Sequence, residues 1–456
     1  DAFLVMQKMN AVLSEHHKEK IVLYTGKSFE AYCGIFAIML SGNSWCPVSV
    51  LQPVNRVLDI LIAVEVDVFI ADSYIPKSIS DFLNERGVTV MYIDDIKNYT
   101  PIPFKLGTFM ADDIAYIMFT SGSTGTPKGV PMTHGNYIPF IENALEILPI
   151  EKHEIFSDYH DFSFDLSIFY LFCAIMTQSA LSPALSKKDN LFLLNHAMKN
   201  KVTVWSSVPS SIARIKHLRP NESFDTQIKI MFLCGEPFRL DILEYCYNHL
   251  NQQNVFNFYG LTETGVENFY HECRREDLKV FEKQGFVPIG KPLPGNRITI
   301  SEDNELLIGG PQIPPGYIGG LDNHRFITMD GNEWFCSGDI VEQFEDVVFC
   351  KGRTDSQVKI SGYRIELFDV EAGLRKVDGI SEAVCFVDDS NSDHAGIVAV
   401  VEAEQVEDPE LKKELKKYLP AYMIPAKIFK LIEFPINKSG KLDRAGIKKA
   451  FIDCQV

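Results

Sequence analysis

The chain has 456 residues, 46% of them hydrophobic and 23% charged, which gives it room for two or three domains and a large core of ordinary globular type. Its 61 acidic residues outnumber 44 basic ones, for a net charge of −17, which argues against a nucleic-acid or acidic-membrane partner but leaves room for a small anionic ligand on a local patch. The longest apolar run, at 168–176, is about half a membrane span, so membrane insertion is not expected. No signal peptide follows Asp1, which is not an initiator methionine, so the natural start stays open upstream. The ten cysteines lack C-x-x-C or zinc spacing, with His271 and Cys273 read as a chance pair, and together these features imply a cytoplasmic protein with reduced thiols.

In chain order, short apolar runs of strand type at 21–24, 68–71, 88–93, 202–205, 228–234 and 255–259 alternate with helix-like stretches at 28–40, 54–64, 136–148 and 241–250. Such alternation implies layered α/β sheets. From about Ile298 the texture changes to short strands and Gly/Pro turns, as at 306–310 and 313–320, which predicts a β-rich module. The polar, glycine-bearing stretch 351–355 reads as a linker. Beyond it, strands are expected at 384–387 and 397–403 and a helix at 409–419 with proline at its start. The expected fold is therefore α/β: a large N-terminal domain of layered α/β sheets plus a β-rich module over 1–354, and a small C-terminal α+β domain over 355–456.

The richest stretch follows the strand-type run 114–120. Ser121-Gly122-Ser123-Thr124-Gly125-Thr126-Pro127-Lys128-Gly129 combines three glycines, four hydroxyls and a lysine. Glycines let backbone N–H groups approach an anion closely, hydroxyls add neutral donors, and Lys128 adds positive charge. The P-loop of NTPases requires G-x-x-x-x-G-K-[ST], and here Gly129 follows the lysine, so that reading fails. A flexible Gly/Ser/Thr linker is the plain alternative.

Four further motifs follow in register. They are Asn257-Phe258-Tyr259-Gly260-Leu261-Thr262-Glu263, Ser337-Gly338-Asp339, the stretch from Gly352-Arg353-Thr354-Asp355 to Gly362-Tyr363-Arg364-Ile365-Glu366, and Asn437-Lys438-Ser439-Gly440-Lys441-Leu442-Asp443-Arg444. Together with the loop they resemble the core motifs of the adenylate-forming superfamily, which comprises acyl- and aryl-CoA synthetases, luciferases and adenylation domains of nonribosomal peptide synthetases. The resemblance implies an AMP-forming ligase. A carboxylate attacks the α-phosphate of ATP, giving an acyl-adenylate and pyrophosphate; a thiol then takes the acyl group and releases AMP.

The resemblance also assigns roles. Thr120, Ser121, Gly122, Ser123, Thr124, Gly125, Thr126 and Lys128 would hold the β- and γ-phosphates. Gly235, Glu236, Pro237, Asn257, Phe258, Gly260 and Thr262 would line the nucleotide site, with Tyr259 stacked on adenine. Asp339 would bind the ribose hydroxyls, with Arg353 beside it, and Glu263 would help to hold magnesium. Lys441 would bridge substrate carboxylate and nucleotide oxygens in the first step, which suits a point charge on a flexible stem. Asp355 marks the hinge, and the loop around Gly362 would approach a phosphopantetheine thiol after the small domain rotates. The plainer alternatives are a turn cap for Asp339, an exposed helix-start acid for Glu263, a solvated surface lysine for Lys441 and a tight turn for Gly362.

Phe162-Ser163-Phe164-Asp165-Leu166-Ser167 resembles the motif of amino-acid-activating members, whose Asp binds the substrate α-ammonium. An ammonium taken from water needs a counter-charge; the alternative for Asp165 is a helix N-cap. By the same register Phe169, Ser206, Phe232, Cys234, Phe258, Val266 and Glu267 line the side-chain pocket, and the large rings favour a small side chain. Local stretches around Phe162, Val204, Met231 and Leu419 resemble the stand-alone D-alanine:D-alanyl carrier protein ligases, so D-alanine leads. Leu261, Phe258 and Glu267 depart from that pattern, and Glu267, if turned inward, would suit a serine-like or basic substrate. An acyl- or aryl-CoA synthetase is the second reading, and a non-catalytic nucleotide-binding protein the last. The acceptor would be a separate carrier protein.

Overall fold

The computed structural model describes all residues except 1, 73, 97–99, 102, 121–126, 321–322, 356, 389–395, 404–407, 433, 436–442 and 454–456. The chain divides into two compact units, one built on residues 1–50, 61–120 and 128–355, the other chiefly on 356–456.

The larger unit holds three sheets. The first has strands β1 Lys20–Thr25, β2 Ser44–Ser49, β3 Val68–Ala71, β4 Thr89–Tyr92, β5 Ile114–Thr120 and β6 Lys128–Thr133, ordered β4-β3-β1-β2-β5-β6. All neighbours are parallel except the hairpin β5–β6. The second has β7 Ile155–Asp158, β8 Ala180–Pro183, β9 Val204–Ser207, β10 Ile230–Leu233, β11 Asn254–Tyr259, β12 Phe269–Cys273 and β13 Lys291–Pro292, ordered β13-β12-β11-β10-β9-β7-β8. Here β7 to β11 run parallel, and β12 and β13 close one edge antiparallel. Its central strands β9 and β10 are buried along their whole length, as strands packed on both faces are. Along β10, Ile230 and Phe232 face one core while Met231 and Leu233 face the other. The first core also takes Leu23, Trp45, Tyr116 and Met118 from the first sheet, so both sheets share it.

The third sheet is the expected β-rich module: β14 Arg297–Ile300, β15 Glu305–Gly309, β16 Phe326–Met329, β17 Asn332–Phe344 and β18 Val347–Arg353, all antiparallel. The expected linker is partly strand. The stretch 351–355 is not a linker throughout: β18 runs to Arg353 and pairs it with Asp339. A charged, glycine-bearing strand end resembles a loop in composition, and only the partner strand tells them apart.

The second unit holds the hairpin β19 Gln357–Ile360 and β20 Tyr363–Glu366 and a sheet of β21 Glu382–Asp388, β22 Gly396–Glu402 and β23 Lys427–Leu431. The hairpin turns on Ser361 and Gly362 at φ 51° and 81°, the left-handed pair that two-residue hairpin turns demand. The helix expected at 409–419 spans Asp408–Leu415. Asp443 closes the last motif by accepting from the Gly446 N–H at 2.9 Å at the start of the helix Arg444–Asp453, while Arg444 pairs with Glu371.

No disulfide joins any of the nine described cysteines. His271 and Cys273, two apart on β12, share a face of the strand, and their ligand atoms lie with one from Asp277 within 4.8 Å of one another. Asp277 accepts from His271 Nε2 and from the Arg274 N–H, both at 2.8 Å. Among the described residues no helix is long and apolar enough to cross a membrane.

Candidate active site

Several candidate residues lie at or just beyond the carboxyl ends of the parallel strands of the second sheet, Ser206 on β9, Cys234 after β10 and Tyr259 at the end of β11, where open α/β sheets hold ligands. Strand β11 ends at Tyr259 and runs into a short turn, Thr262–Thr264. Gly260 sits at the exit under a steric demand, since an added Cβ would lie 2.3 Å from the Val266 carbonyl oxygen. That close approach folds Thr262 and Glu263 back over the strand end.

Glu263 is buried, at 2% exposure, so it is not an exposed helix-start acid. Its Oε1 accepts from the Tyr317 hydroxyl at 2.9 Å, and the Lys128 ammonium lies 5.3 Å from the centre of the Tyr317 ring. Lys128 opens β6 directly opposite Thr120 at the end of β5. The Thr120 hydroxyl is buried with no hydrogen-bond partner among the described residues. The residues expected to grip phosphates between them, Ser121 to Thr126, lie outside the described residues, as does Lys441.

Tyr259 and Asp339 meet directly: the phenol donates to Asp339 Oδ2. Burial and then Asp339 push the phenol well above its ordinary range, so it stays a donor. Asp339 is 2% exposed, lies within β17 rather than capping a turn, and its Oδ1 pairs with Arg353 Nη1 at 2.7 Å. Arg353 also donates from Nε and Nη2 to the two oxygens of Asp355 at 2.7 and 2.8 Å and to the Ser337 carbonyl at 3.0 Å. Arg325 adds a bond to Asp355 at 2.6 Å. Asp355, the expected hinge, is thus held by two guanidinia.

Burial works to raise the Asp355 carboxyl, but the bonds and charge of Arg353 and then Arg325 override it and hold the carboxyl well below the usual range. A carboxyl depressed in the folded state stabilises the fold at every pH above its unfolded value, and that contribution disappears as pH falls through and below about 4. Thermal midpoints should therefore be insensitive to this group between pH 6 and 8 and fall below about pH 4. Asp355→Asn should flatten the acid limb, and a variant with an unchanged acid limb would remove Asp355 from the account.

Asp165 precedes the helix Leu166–Met176 but makes no capping bond with its side chain. It accepts instead from the Thr262 hydroxyl at 2.6 Å, so the amino-acid motif and the nucleotide motif touch. One helical turn on, Phe169 stacks on Phe232 with ring centres 4.1 Å apart, and Phe232 stacks on Phe258 at 4.3 Å. Cys234, Val266, Ser206 and Glu267 are buried too. Cys234 and Val266 share the core of the three rings, and Ser206 lies beside Phe232 on β9, its hydroxyl 3.3 Å from the Ser157 carbonyl oxygen. Glu267 is 4% exposed, so it does not face solvent.

Three assigned nucleotide residues have structural tasks. Glu236 accepts from the Ser210 N–H at 2.9 Å at the start of the helix Pro209–Leu218, Asn257 donates to the Pro288 carbonyl at 2.8 Å, and Gly235 takes φ 82° at the turn after β10. Pro237 beside them is exposed. Sequence reasoning missed Tyr317, Arg325 and Glu305, whose Oε1 accepts from the Gly338 N–H at 2.8 Å. None stands in a motif, and only the fold brings them to the site.

Residues 9–318 match the AMP-binding enzyme family. The D-alanine–D-alanyl carrier protein ligase of Staphylococcus epidermidis is 30% identical, over 96% of this chain and 90% of its own length. The L-proline–[L-prolyl-carrier protein] ligase of Streptomyces coelicolor is 30% identical, over 93% and 86%. Among solved structures, an o-succinylbenzoate CoA synthetase from Bacillus subtilis superposes with a TM-score of 0.84 at 22% identity, over 98% of this chain and 92% of its own. The Vibrio cholerae adenylation domain AlmE, solved with glycyl-adenosine-5'-phosphate, gives 0.81 at 23% identity and the same coverage. At such identities the two structures speak for the fold, while the family match over two thirds of the sequence is decisive: this chain belongs to the AMP-binding enzymes.

Proposed function

We propose that the protein activates a small amino acid with ATP and passes it to the phosphopantetheine thiol of a separate carrier protein. D-alanine heads the candidates, because relatives that match nearly the whole chain are named for it. The observation that carries the reading is the 2.6 Å bond from Thr262 to Asp165, which joins the carboxylate proposed to take the α-ammonium to the nucleotide motif.

In the first half-reaction a carboxylate oxygen of the amino acid forms a bond to the α-phosphorus of ATP, and the bond to the departing pyrophosphate breaks. Asp165 holds the α-ammonium. Asp339, fixed by Tyr259 and Arg353, accepts from the ribose hydroxyls. Lys128 and the loop before it draw charge from the β- and γ-phosphates, where stabilisation counts most. Glu263 offers a buried hard oxygen donor of the type magnesium takes together with phosphates; the ion would neutralise charge on the transferring group. In the second half-reaction the thiol sulfur bonds to the acyl carbon, AMP leaves, and the thiol proton passes to solvent. Residues 1–354 would form the adenylation domain and 355–456 the moving domain that carries Lys441. The contact between the three rings supports a small substrate, since a larger side chain would have to part them.

Amino-acid-dependent ATP–pyrophosphate exchange tests this. Exchange is expected with D-alanine, glycine or L-alanine, with serine next because Glu267 is buried, and not with fatty or aryl acids. Exchange with fatty or aryl acids but no amino acid would sink the proposal.

A further inference from the structure

Outside the residues assigned above, one polar cluster lies deep in the larger unit. Asp158, the last residue of β7, is fully buried. Lys27, in the turn after β1, donates to the Asp158 carbonyl at 2.9 Å and pairs with its Oδ1. Tyr32, on the helix Phe29–Leu40, donates to the other carboxylate oxygen. Tyr170, from the helix that starts after Asp165, donates to the His160 carbonyl at 3.0 Å, and the Lys27 ammonium lies 5.9 Å from its ring centre.

The chain from Asp158 to Asp165 is a single turn secured at close intervals. Asp161 accepts from the Ser163 N–H and hydroxyl at 3.0 and 2.7 Å. The Phe164 N–H donates to the Asp161 carbonyl at 3.1 Å. Phe162 meets the Tyr32 ring edge-on, with centres 4.9 Å apart. His160, half-buried, is kept neutral by desolvation and by Lys27, which push it down to about 3, so its ring adds no second cation to the cluster.

A buried ion pair is seldom needed for stability, since well-packed apolar residues serve as well or better; where one persists, a role in fixing geometry is a natural hypothesis. Resting on the reading of Asp165 as the ammonium ligand, we propose that Lys27 is a positioning residue for the amino-acid substrate. From the first sheet it grips Asp158 and so sets where the turn presents the Asp165 carboxylate. That same sheet carries Thr120 and Lys128 at the end of its hairpin. The Lys27–Asp158 pair therefore gauges the distance from the amino-acid subsite to the phosphate end of the site.

Pyrophosphate exchange with the full chain, varying amino acid and ATP separately, tests this. Lys27→Met should raise the amino-acid KM by at least about tenfold and leave the ATP KM within about twofold, because misplacement by about 1 Å is enough for such a loss. Tyr32→Phe should move the same constant in the same direction by less, and it decides the matter if Lys27→Met fails to fold. Lys27→Met combined with Asp158→Leu removes both charges, so the thermal midpoint should recover while the amino-acid KM stays raised. Recovery of that KM in the double variant, parallel rises in both KM values, or an unchanged amino-acid KM in Tyr32→Phe would overturn the proposal. Wild-type exchange separates the two levels: if it depends on an amino acid but the variants behave as just described, only the role of Lys27 fails, and if it depends on none, both readings fail.

Discussion

Lys441→Ala is expected to lower amino-acid-dependent pyrophosphate exchange by about 10²–10³-fold, the usual cost of removing one well-placed donor from a developing charge. Transfer to the carrier thiol from a preformed aminoacyl-adenylate should stay largely intact. The two half-reactions make different demands on a cation. In the first, the substrate carboxylate and the phosphate oxygens are anionic together, and a lysine spanning both lowers their repulsion. In the second, charge builds on the acyl oxygen and then on AMP, and the thiol must have access. Exchange measured against single-turnover thiol transfer separates the steps. An equal loss in both would end the view that Lys441 serves adenylation alone.

Asp165→Ala should lower kcat/KM for the amino acid by about 10²–10³-fold, because an ammonium drawn from water into a half-buried site and left without its carboxylate partner loses roughly 3–4 kcal/mol. Thermal stability offers a second, independent readout. A helix cap replaced by alanine costs about 1 kcal/mol of stability and would leave the kinetics alone. Asp165 makes no capping bond with its side chain, so the expected pattern is the reverse: a large kinetic loss with little change in thermal midpoint. A stability loss with unchanged kinetics would return Asp165 to the role of a cap.

Much of the architecture was legible from the sequence because it is locally encoded. The alternation of apolar runs and amphipathic stretches gave β3 and the helix Val54–Val64 with their observed bounds, and β5 likewise. The apolar run at 168–176 proved to be most of a buried helix, a case that periodicity alone leaves open. What stayed hidden depends on pairing across long stretches of chain. Arg353 belongs to a strand only because Asp339 stands opposite it, and Tyr317 reaches Glu263 across 54 residues. Lys27 and Asp158 are 131 residues apart, and each alone looks like an ordinary surface charge. Asp165 and Glu263 could be picked out by motif, but the bond from Thr262 that joins their neighbourhoods needed the fold.

The three stacked rings bear on how this enzyme could change over time. Phe232 touches both Phe169 and Phe258, so each ring is held partly by the next. Replacing one with a smaller residue lets its neighbours lean into the gap, and the space gained by the first change is partly lost again. The effects of substitutions at these positions are therefore not independent. A lineage moving toward a bulkier substrate would pass through intermediates with a loosened core and little new capacity, which would leave the proposed preference for a small substrate evolutionarily entrenched.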